Sequence, residues 1–524
     1  MADILLTTLN ARYFHAAFGL RYLHANLGEL RSRARMVEFE INQRPVDIAE
    51  ALLAQNPKVL GLGVYIWNVA PALEVVGAIK RVRPEVVVVV GGPEVSYELE
   101  SQPIVRLADY VITGEADLEF ARLCAAILEG KPPGDRVVHA SPPDFAELAL
   151  PYDFYTEEDI AHRIIYVEAS RGCPFHCEFC LSSLDIPVRQ APLPSFLAGL
   201  DGLLKRGARH LKFVDRTFNL NVNASRAILE FLLERHRPGL FFHFEMVPDR
   251  LPPELREIIA RFPPGALQFE VGVQTFNPQA AALIQRRQNY GRLEDNFRFL
   301  RQRTGVHVHA DLIAGLPGED WNSFAAGFDR LIALKPHEIQ VGILKRLRGT
   351  PISRHDAEWG MVYNPHPPYE ILQNKLIGFC DMQRIRRFAR YWNLVGNSGN
   401  FPETLPLIWE APGRGAQSPF QSFMRWSEWL YQRAGRTDSI ALVRLMELLF
   451  RYLTEELQHD RQTAARALWR DYRRGGRRDK PAFLMDYLPK EEAGAAEPRS
   501  AAALPRRQAR HLARPSGTGR TPEG

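Results

Sequence analysis

Three of the five cysteines in this sequence of 524 residues fall within eight positions, as Cys173, Cys177 and Cys180. The spacing is Cys-x3-Cys-x2-Cys, and it follows an apolar run, residues 164–167, that reads as a strand. Thiolates this close can turn toward one centre from a single loop. They supply three of the four ligands that an iron–sulfur cluster normally takes. The fourth iron then keeps an open position for a substrate or cofactor. Two other readings stand beside this one: with His176 inside the motif the site could hold zinc, and in a secreted chain the cysteines could pair as disulfides.

With Phe179 just before the last cysteine, the stretch resembles the signature of the radical S-adenosylmethionine superfamily. The resemblance implies a 4Fe–4S cluster whose open iron chelates the amino and carboxylate groups of S-adenosyl-L-methionine. It also implies reductive cleavage to a 5′-deoxyadenosyl radical. Strands are expected at 164–169, 211–215, 241–246, 267–273, 306–314 and 338–344, each followed by a helical stretch. Residues 155–345 therefore resemble that superfamily's partial (β/α)6 TIM-type barrel, with chemistry at the carboxyl-terminal strand ends.

Residues 269–276 contain Gly-Val-Gln-Thr-Phe, and residues 311–319 read Asp-Leu-Ile-Ala-Gly-Leu-Pro-Gly-Glu. Both resemble motifs of the coproporphyrinogen dehydrogenase branch. By position, the resemblance implies that Gln274 and Asp311 bind the ribose hydroxyls and that Glu245 faces the methionyl end. Arg286 would pair with the carboxylate, a task suited to a planar guanidinium, and the backbone of 313–315 would flank the adenine. Where the superfamily often has Gly-Gly-Glu, this chain has Asp215-Arg216-Thr217-Phe218, a departure that resembles cobalamin-dependent members. Any one of these residues, alone at a strand end, is more often merely solvated. Their order behind the cysteines favours the cluster, because a zinc site requires none of them. His307 and His309 alternate with Asp311 and share its side of the sheet; His309 is read either as a substrate contact or as a packed core histidine.

Residues 1–140 alternate short apolar strands with amphipathic helices. Strands are expected at 4–9, 35–39, 59–65, 86–90 and 110–112, the fourth being five consecutive valines. Uninterrupted apolar strands suit a parallel sheet covered on both faces, so the segment reads as a Rossmann-like, doubly wound sheet. Ligands bind such sheets past the strands' carboxyl ends. The Gly91-Gly92-Pro93 and Gly114-Glu115-Ala116-Asp117 turns lie there and resemble loops of cobalamin-binding radical proteins. The resemblance implies cobalamin contacts at Gly91, Gly92, Gly114 and Glu115. The Asp-x-His-x-x-Gly motif that supplies a lower axial histidine in many such domains is absent. Around His15 its outer positions hold Tyr13 and Phe18, and around His24 they hold Tyr22 and Leu27.

The proline-rich stretch 131–151 reads as a domain boundary. Beyond 346 the β-α rhythm stops, and long amphipathic helices are expected at 369–392 and 440–457, forming a helical domain over 346–490. This extension resembles the uncharacterised domain of one cobalamin-type subgroup. Cys124 and Cys380 read as buried free thiols. Residues 491–524, rich in Ala, Pro, Arg and Gly, read as a disordered tail. A net charge of +5 is too small at this length to argue for nucleic acid as the main partner. No apolar run approaches a membrane span and no signal peptide is evident, so a cytoplasmic protein is expected. The expected activity is radical S-adenosylmethionine chemistry, with cobalamin-dependent methylation of an unknown substrate as its leading form and a reductant such as flavodoxin or ferredoxin as partner. The alternatives are methylthiotransferase-like RNA modification, weakened by the absence of a further cysteine cluster, and a non-catalytic zinc or cluster sensor.

Overall fold

The computed structural model describes residues 2–185, 187–413, 415, 417–477, 479–489 and 506–512. The first sheet contains β1 (Ile4–Asn10), β2 (Ala34–Glu40), β3 (Val59–Gly63), β4 (Val87–Gly91), β5 (Tyr110–Thr113) and β6 (Val137–His139), all parallel in the order β2-β1-β3-β4-β5-β6. Alternate residues of β1 feed two separate cores. Leu5 and Leu9 pack with the helices Pro45–Leu53 and Val69–Val82, while Ile4 and Leu6 pack with Phe18–Ala25 and Glu119–Leu128. This two-sided burial is why β1 carries no exposed residue. The sheet has one strand more than expected, since β6 is a three-residue edge strand inside the stretch read as linker.

The second sheet supplies the barrel. β7 (Ile165–Val167) leads to a two-residue antiparallel ladder, β8 (Ser170–Arg171) with β9 (Arg189–Gln190), whose intervening loop carries the three cysteines. β10 (His210–Phe213), β11 (Phe241–Met246), β12 (Leu267–Gln274), β13 (His307–Ala314) and β14 (Glu338–Ile343) complete a parallel sheet in the order β14-β13-β12-β11-β10-β7. β7 and β14 do not pair, so the barrel stays open on one side. The amide of Ile164, at the head of β7, donates to Phe14 of the first unit (2.9 Å).

Beyond the barrel, β15 (Val362–Tyr363) and β16 (Ile371–Gln373) form a small hairpin. The helix expected at 369–392 therefore begins only at Phe379 and runs to Val395. Ile371 is drawn into an extended contact with Leu344 O (2.8 Å), and the Asn374 side chain caps the following turn, which together displace the helix start. Phe328 of the barrel meets Phe388, Trp392 and Phe420 edge-on, so barrel and helical region share one core. Cys124 is buried, but Cys380 is exposed. It lies off the Met382–Ile385–Phe388–Trp392 face that the helix buries. Of the tail, 491–505 and 513–524 lie outside the described residues, while Arg506–Leu512 is helical where disorder is expected. This helix packs at the amino-terminal ends of the barrel strands, with Gln508 donating to Gln268 (2.7 Å) and Arg507 pairing with Glu338 (2.7 Å). Among the described residues, no helix is long and apolar enough to cross a membrane.

The two α/β units are joined by buried charge. Arg21 is 1% exposed. It pairs with Glu38 (2.8 Å) and, across the unit boundary, with Asp159 (2.7 Å), its guanidinium lying over Tyr155. Arg163 also reaches Glu38 (3.0 Å) and Asp159 (3.2 Å). Loss of Arg21 therefore leaves two buried carboxylates to share one cation, a cost toward the lower end of the about 3–5 kcal/mol of a broken buried pair. Arg21→Ala should accordingly lower the thermal midpoint clearly in calorimetry, whereas an exposed substitution such as Arg81→Ala should leave it unchanged.

Candidate active site

The cysteine loop is pinned at several points. Gly172 adopts φ +95°, and a side chain there would press on Asp185 O at 2.7 Å, so only glycine fits. Cys173 N donates to Asp185 O (3.1 Å) and Cys180 N to Cys177 O (3.0 Å). Glu178, fully buried between the second and third cysteines, accepts from Gln285 (2.8 Å) and lies 2.8 Å from His355 Nε2, with Arg354 as a third partner. Asp215 accepts from Ala169 N (3.0 Å) and Ser170 Oγ (2.6 Å), bracing the loop's entry. Burial pushes its carboxyl up to about 7. Asp215 is thus a brace for the cysteine loop.

Cys173, Cys177 and Cys180 all line one cavity of about 150 Å³, and so do Glu245, Gln274, Arg286 and Asp311. The structure brings together all seven residues that the sequence singles out in this region. Arg286 Nη1 stands 3.5 Å from Cys177 Sγ, Nη2 donates to Gly272 O, and Nε is buried without a hydrogen-bond partner. Gln274 takes φ +69°, unusual for a side-chain-bearing residue, where the pairing of β12 with β13 shifts register. Its Oε1 is buried with no partner. A strained backbone that aims an unsatisfied amide into a cavity is what a binding role asks for. Glu245, whose carboxyl is pushed up by burial, is engaged by Arg216 Nη1 through both oxygens (2.9 and 3.0 Å).

His307 and His309 part company. His307 is buried against Glu338 (2.9 Å) outside this cavity. His309 lies 3.3 Å from Asp311 and 3.5 Å from Glu338. Burial works against its imidazolium, but the two carboxylates outweigh it and raise the pKa to about 10. His309, Gln274 and Asp311 line a second, larger cavity of about 890 Å³.

The Gly-Val-Gln-Thr-Phe and Gly-Leu-Pro-Gly-Glu segments hold each other. Thr275 Oγ1 donates to Glu319 (2.5 Å), and Asn277 Nδ2 to Gly318 O (3.3 Å). Glu319 is 2% exposed, and its other oxygen has no partner.

Gly91, Gly92, Gly114 and Glu115 line a cavity of about 440 Å³ at the carboxyl end of the first sheet, with further glycines 61 and 63 and the ring of Tyr65. Gly92, at φ +112°, would place a Cβ 2.6 Å from Val64 O, so turn geometry alone demands glycine there. Neither candidate histidine lines this cavity: His15 contacts Tyr166 OH (2.5 Å), and His24 packs edge-on against Phe154. Glu115 faces the cysteine loop, pairing with Arg171 (2.8 Å) and Arg189; burial opposes its ionisation, but the two guanidiniums hold its carboxyl below the ordinary value. The sequence carries no signal for Arg171, Arg189, Arg216 or Glu178. Their partners lie up to 177 positions away.

Comparison with known proteins agrees with this layout. Residues 4–124 match the B12 binding domain, 167–331 the radical SAM superfamily, and 357–511 a domain of unknown function, DUF4080. An uncharacterised methyltransferase of Pyrococcus horikoshii, PH0819, is 28% identical over 200 residues, 33% of this chain and 43% of that protein. The cobalamin-dependent radical SAM methyltransferase TokK of Streptomyces tokunonensis is 25% identical over 333 residues, 55% of this chain and 47% of that protein. The chain thus spans less than half the length of these relatives. Among solved structures, the cobalamin-dependent radical enzyme OxsB superposes with TM-score 0.60 at 14% identity, covering 92% of this chain and 79% of that one. The methyltransferase TsrM of Kitasatospora setae superposes with TM-score 0.56 at 17% identity, covering 71% and 80%.

Glu319 gives a titration test. Burial raises its carboxyl from 4.5 to about 7. The folded state therefore holds a proton that the unfolded chain has released, and this site's contribution to stability is lost as pH rises from about 4.5 to 7. Glu319→Gln should flatten that decline, by roughly 2 kcal/mol, in denaturant melts taken at pH 5 and pH 8. An unchanged slope would mean that Glu319 is ionised in the fold. Laid over this architecture, the chain carries in order a segment that matches the B12 binding domain, one that matches the radical SAM superfamily and one that matches DUF4080.

Proposed function

We propose that the protein is a radical S-adenosylmethionine enzyme that methylates, or otherwise modifies by radical chemistry, a substrate bound at the open side of its barrel. One observation carries this reading: three cysteines on one braced loop share a cavity of about 150 Å³ with Glu245, Gln274, Arg286 and Asp311. The donor set fits an iron–sulfur cluster with one free iron. When bound, such a cluster and S-adenosylmethionine supply the 5′-deoxyadenosyl radical, and a corrinoid supplies a transferable methyl group.

The chain's own residues bind, orient and shield. Cys173, Cys177 and Cys180 are the three thiolate ligands. Arg286 would pair with the methionyl carboxylate, and Gln274, whose buried amide oxygen has no partner, and Asp311, which His309 flanks at 3.3 Å, would take the ribose hydroxyls. Glu245, with its charge balanced by Arg216, stands by the methionyl amino group. The glycine-lined cavity of the first unit, with its flat Tyr65 wall, fits a planar ring system. Neither His15 nor His24 lines this cavity, so the glycines, Tyr65 and Glu115 rather than a histidine would hold a corrinoid there. An external reductant such as a flavodoxin or ferredoxin would deliver the electron. A reducing cytoplasm suits five cysteines that are all free.

Anaerobic purification from cells supplied with cobalamin tests this reading. The expected result is bound corrinoid together with 5′-deoxyadenosine released after S-adenosylmethionine and dithionite are added. Cys177→Ala should lose the cluster iron and all deoxyadenosine. A methyl group added at Gly272 would lie 2.5 Å from Gln274 Nε2 and 3.4 Å from Arg286 Nη2. Gly272→Ala should therefore keep the cluster iron but weaken S-adenosylmethionine binding by about tenfold or more in equilibrium dialysis. Loss of iron in that variant would contradict the roles given to Gln274 and Arg286.

A further inference from the structure

The barrel is open between β7 and β14, and the DUF4080 region closes the β14 side. Asp311 and Gln340, and likewise Ile313 and Gly342, are register partners on β13 and β14, and these four residues line the cavity of about 890 Å³. Its opposite wall is the helix Phe379–Val395, which turns Gln383, Arg386, Arg387, Arg390 and Asn393 toward the space. Their spacing is one helical stripe. The opposite stripe, which includes Ile385, Phe388 and Trp392, is buried in the helical core.

Charge on this wall is unbalanced. Lys345, Arg386, Arg387, Arg390, Arg436 and Arg507 line the cavity against three carboxylates, Asp311, Glu370 and Asp438. Arg386 pairs with Glu370 (2.7 Å), Arg507 with Glu338 (2.7 Å), and Asp311 lies 3.3 Å from His309, itself held protonated. Arg387 only stacks on Tyr431 (4.7 Å). Among the described residues, Arg390, Lys345 and Arg436 have no ion pair. Arg387 and Arg390, at i and i+3 on this face, are like-charged neighbours, an arrangement that disfavours a helix unless something negative lies against them. A concave wall with spare guanidiniums concentrates anions, and the planar fork matches a carboxylate or phosphate.

The geometry points to DUF4080 as the substrate-reading element, one that grips the carboxylate or phosphate of a small anionic substrate with Arg387 and Arg390. The far end of that substrate would lie against Phe179, Gln274 and Asp311. Those three residues line both cavities, so a molecule held by the arginines reaches the cysteine pocket. The volume falls within the roughly 300–1,000 Å³ of small-molecule sites, which favours a metabolite over a nucleic acid. This assignment rests on the reading of the barrel as the reacting site.

The test titrates the full-length, anaerobically purified protein with pyrophosphate and with citrate by calorimetry, alongside a poly(U) 20-mer. Saturable one-site binding of one of the two small anions is expected, and which one binds separates phosphate from carboxylate. R387Q/R390Q should weaken that binding by about tenfold or more, and R387K/R390K should restore part of it, since lysine keeps the charge without the fork. R261Q/R303Q, the same charge loss on exposed barrel helices, should change nothing. Circular dichroism on each variant separates lost binding from lost fold. Equal loss in R261Q/R303Q, no saturation by either anion, or uptake of poly(U) alone would overturn the assignment. Deoxyadenosine formation by the wild-type protein is read separately. Its absence alongside arginine-dependent anion binding would count against the radical reading and leave the anion site standing.

Discussion

The join between the cysteine loop and the first sheet depends on one guanidinium. Arg171, two residues before the first cysteine, pairs with Glu115 (2.8 Å) and Asp117 (2.9 Å) of the first unit and with Glu168 (3.0 Å) at the end of β7. It also lies over the rings of Tyr22 and Phe145. Arg189, on the opposite strand of the short ladder, adds Glu115 and Asp185. Two cations thus serve four carboxylates in a partly buried cluster. The imbalance is visible in the carboxyls: burial pushes Glu168 and Asp185 up, while Glu115, which touches both arginines, is held down. A shared cation of this kind fixes the cysteine loop and the first sheet's ligand edge in one frame. Without that frame, a group held over the first sheet could not be aligned with one held by the cysteines.

The carboxyl-terminal region does comparable work from the other side. His355 and Arg354 hold Glu178 between two of the cysteines, and Ile352 N donates to Glu178 O (3.0 Å). The aromatic core of Phe328, Phe388, Trp392 and Phe420 then welds the helix Phe379–Val395 across the open barrel. Residues far downstream thereby help to set the geometry of a loop near position 175.

Much of this was legible in the sequence, for physical reasons that differ by element. Strands buried on both faces announce themselves as unbroken apolar runs, so β4 and β11 lie within a residue or so of the expected bounds. β6 did not, because three residues at a sheet edge carry almost no pattern. The helix expected from 369 starts at Phe379, since tertiary pairing of Ile371 overrides local propensity. The three cysteines were readable from their spacing, and Glu245, Gln274, Arg286 and Asp311 from the resemblance of the strand-end motifs; the structure brings all seven to one cavity. Their partners were not readable. Arg171, Arg216 and Glu178 act through ion pairs that only the folded chain brings together, and charged residues on a sequence look alike whether solvated or buried. Cys380 shows the same limit, as a thiol read as buried that lies off the buried face of its helix.

The central claim is that three thiolates hold a cluster whose free iron faces the cavity lined by Gln274, Arg286 and Asp311. Electron paramagnetic resonance of the anaerobically reconstituted, dithionite-reduced protein, recorded with and without S-adenosylmethionine, tests it most directly. A 4Fe–4S signal whose g-values shift on adding S-adenosylmethionine is the predicted result. A cluster signal indifferent to S-adenosylmethionine, or a colourless protein carrying zinc on those cysteines, would contradict it.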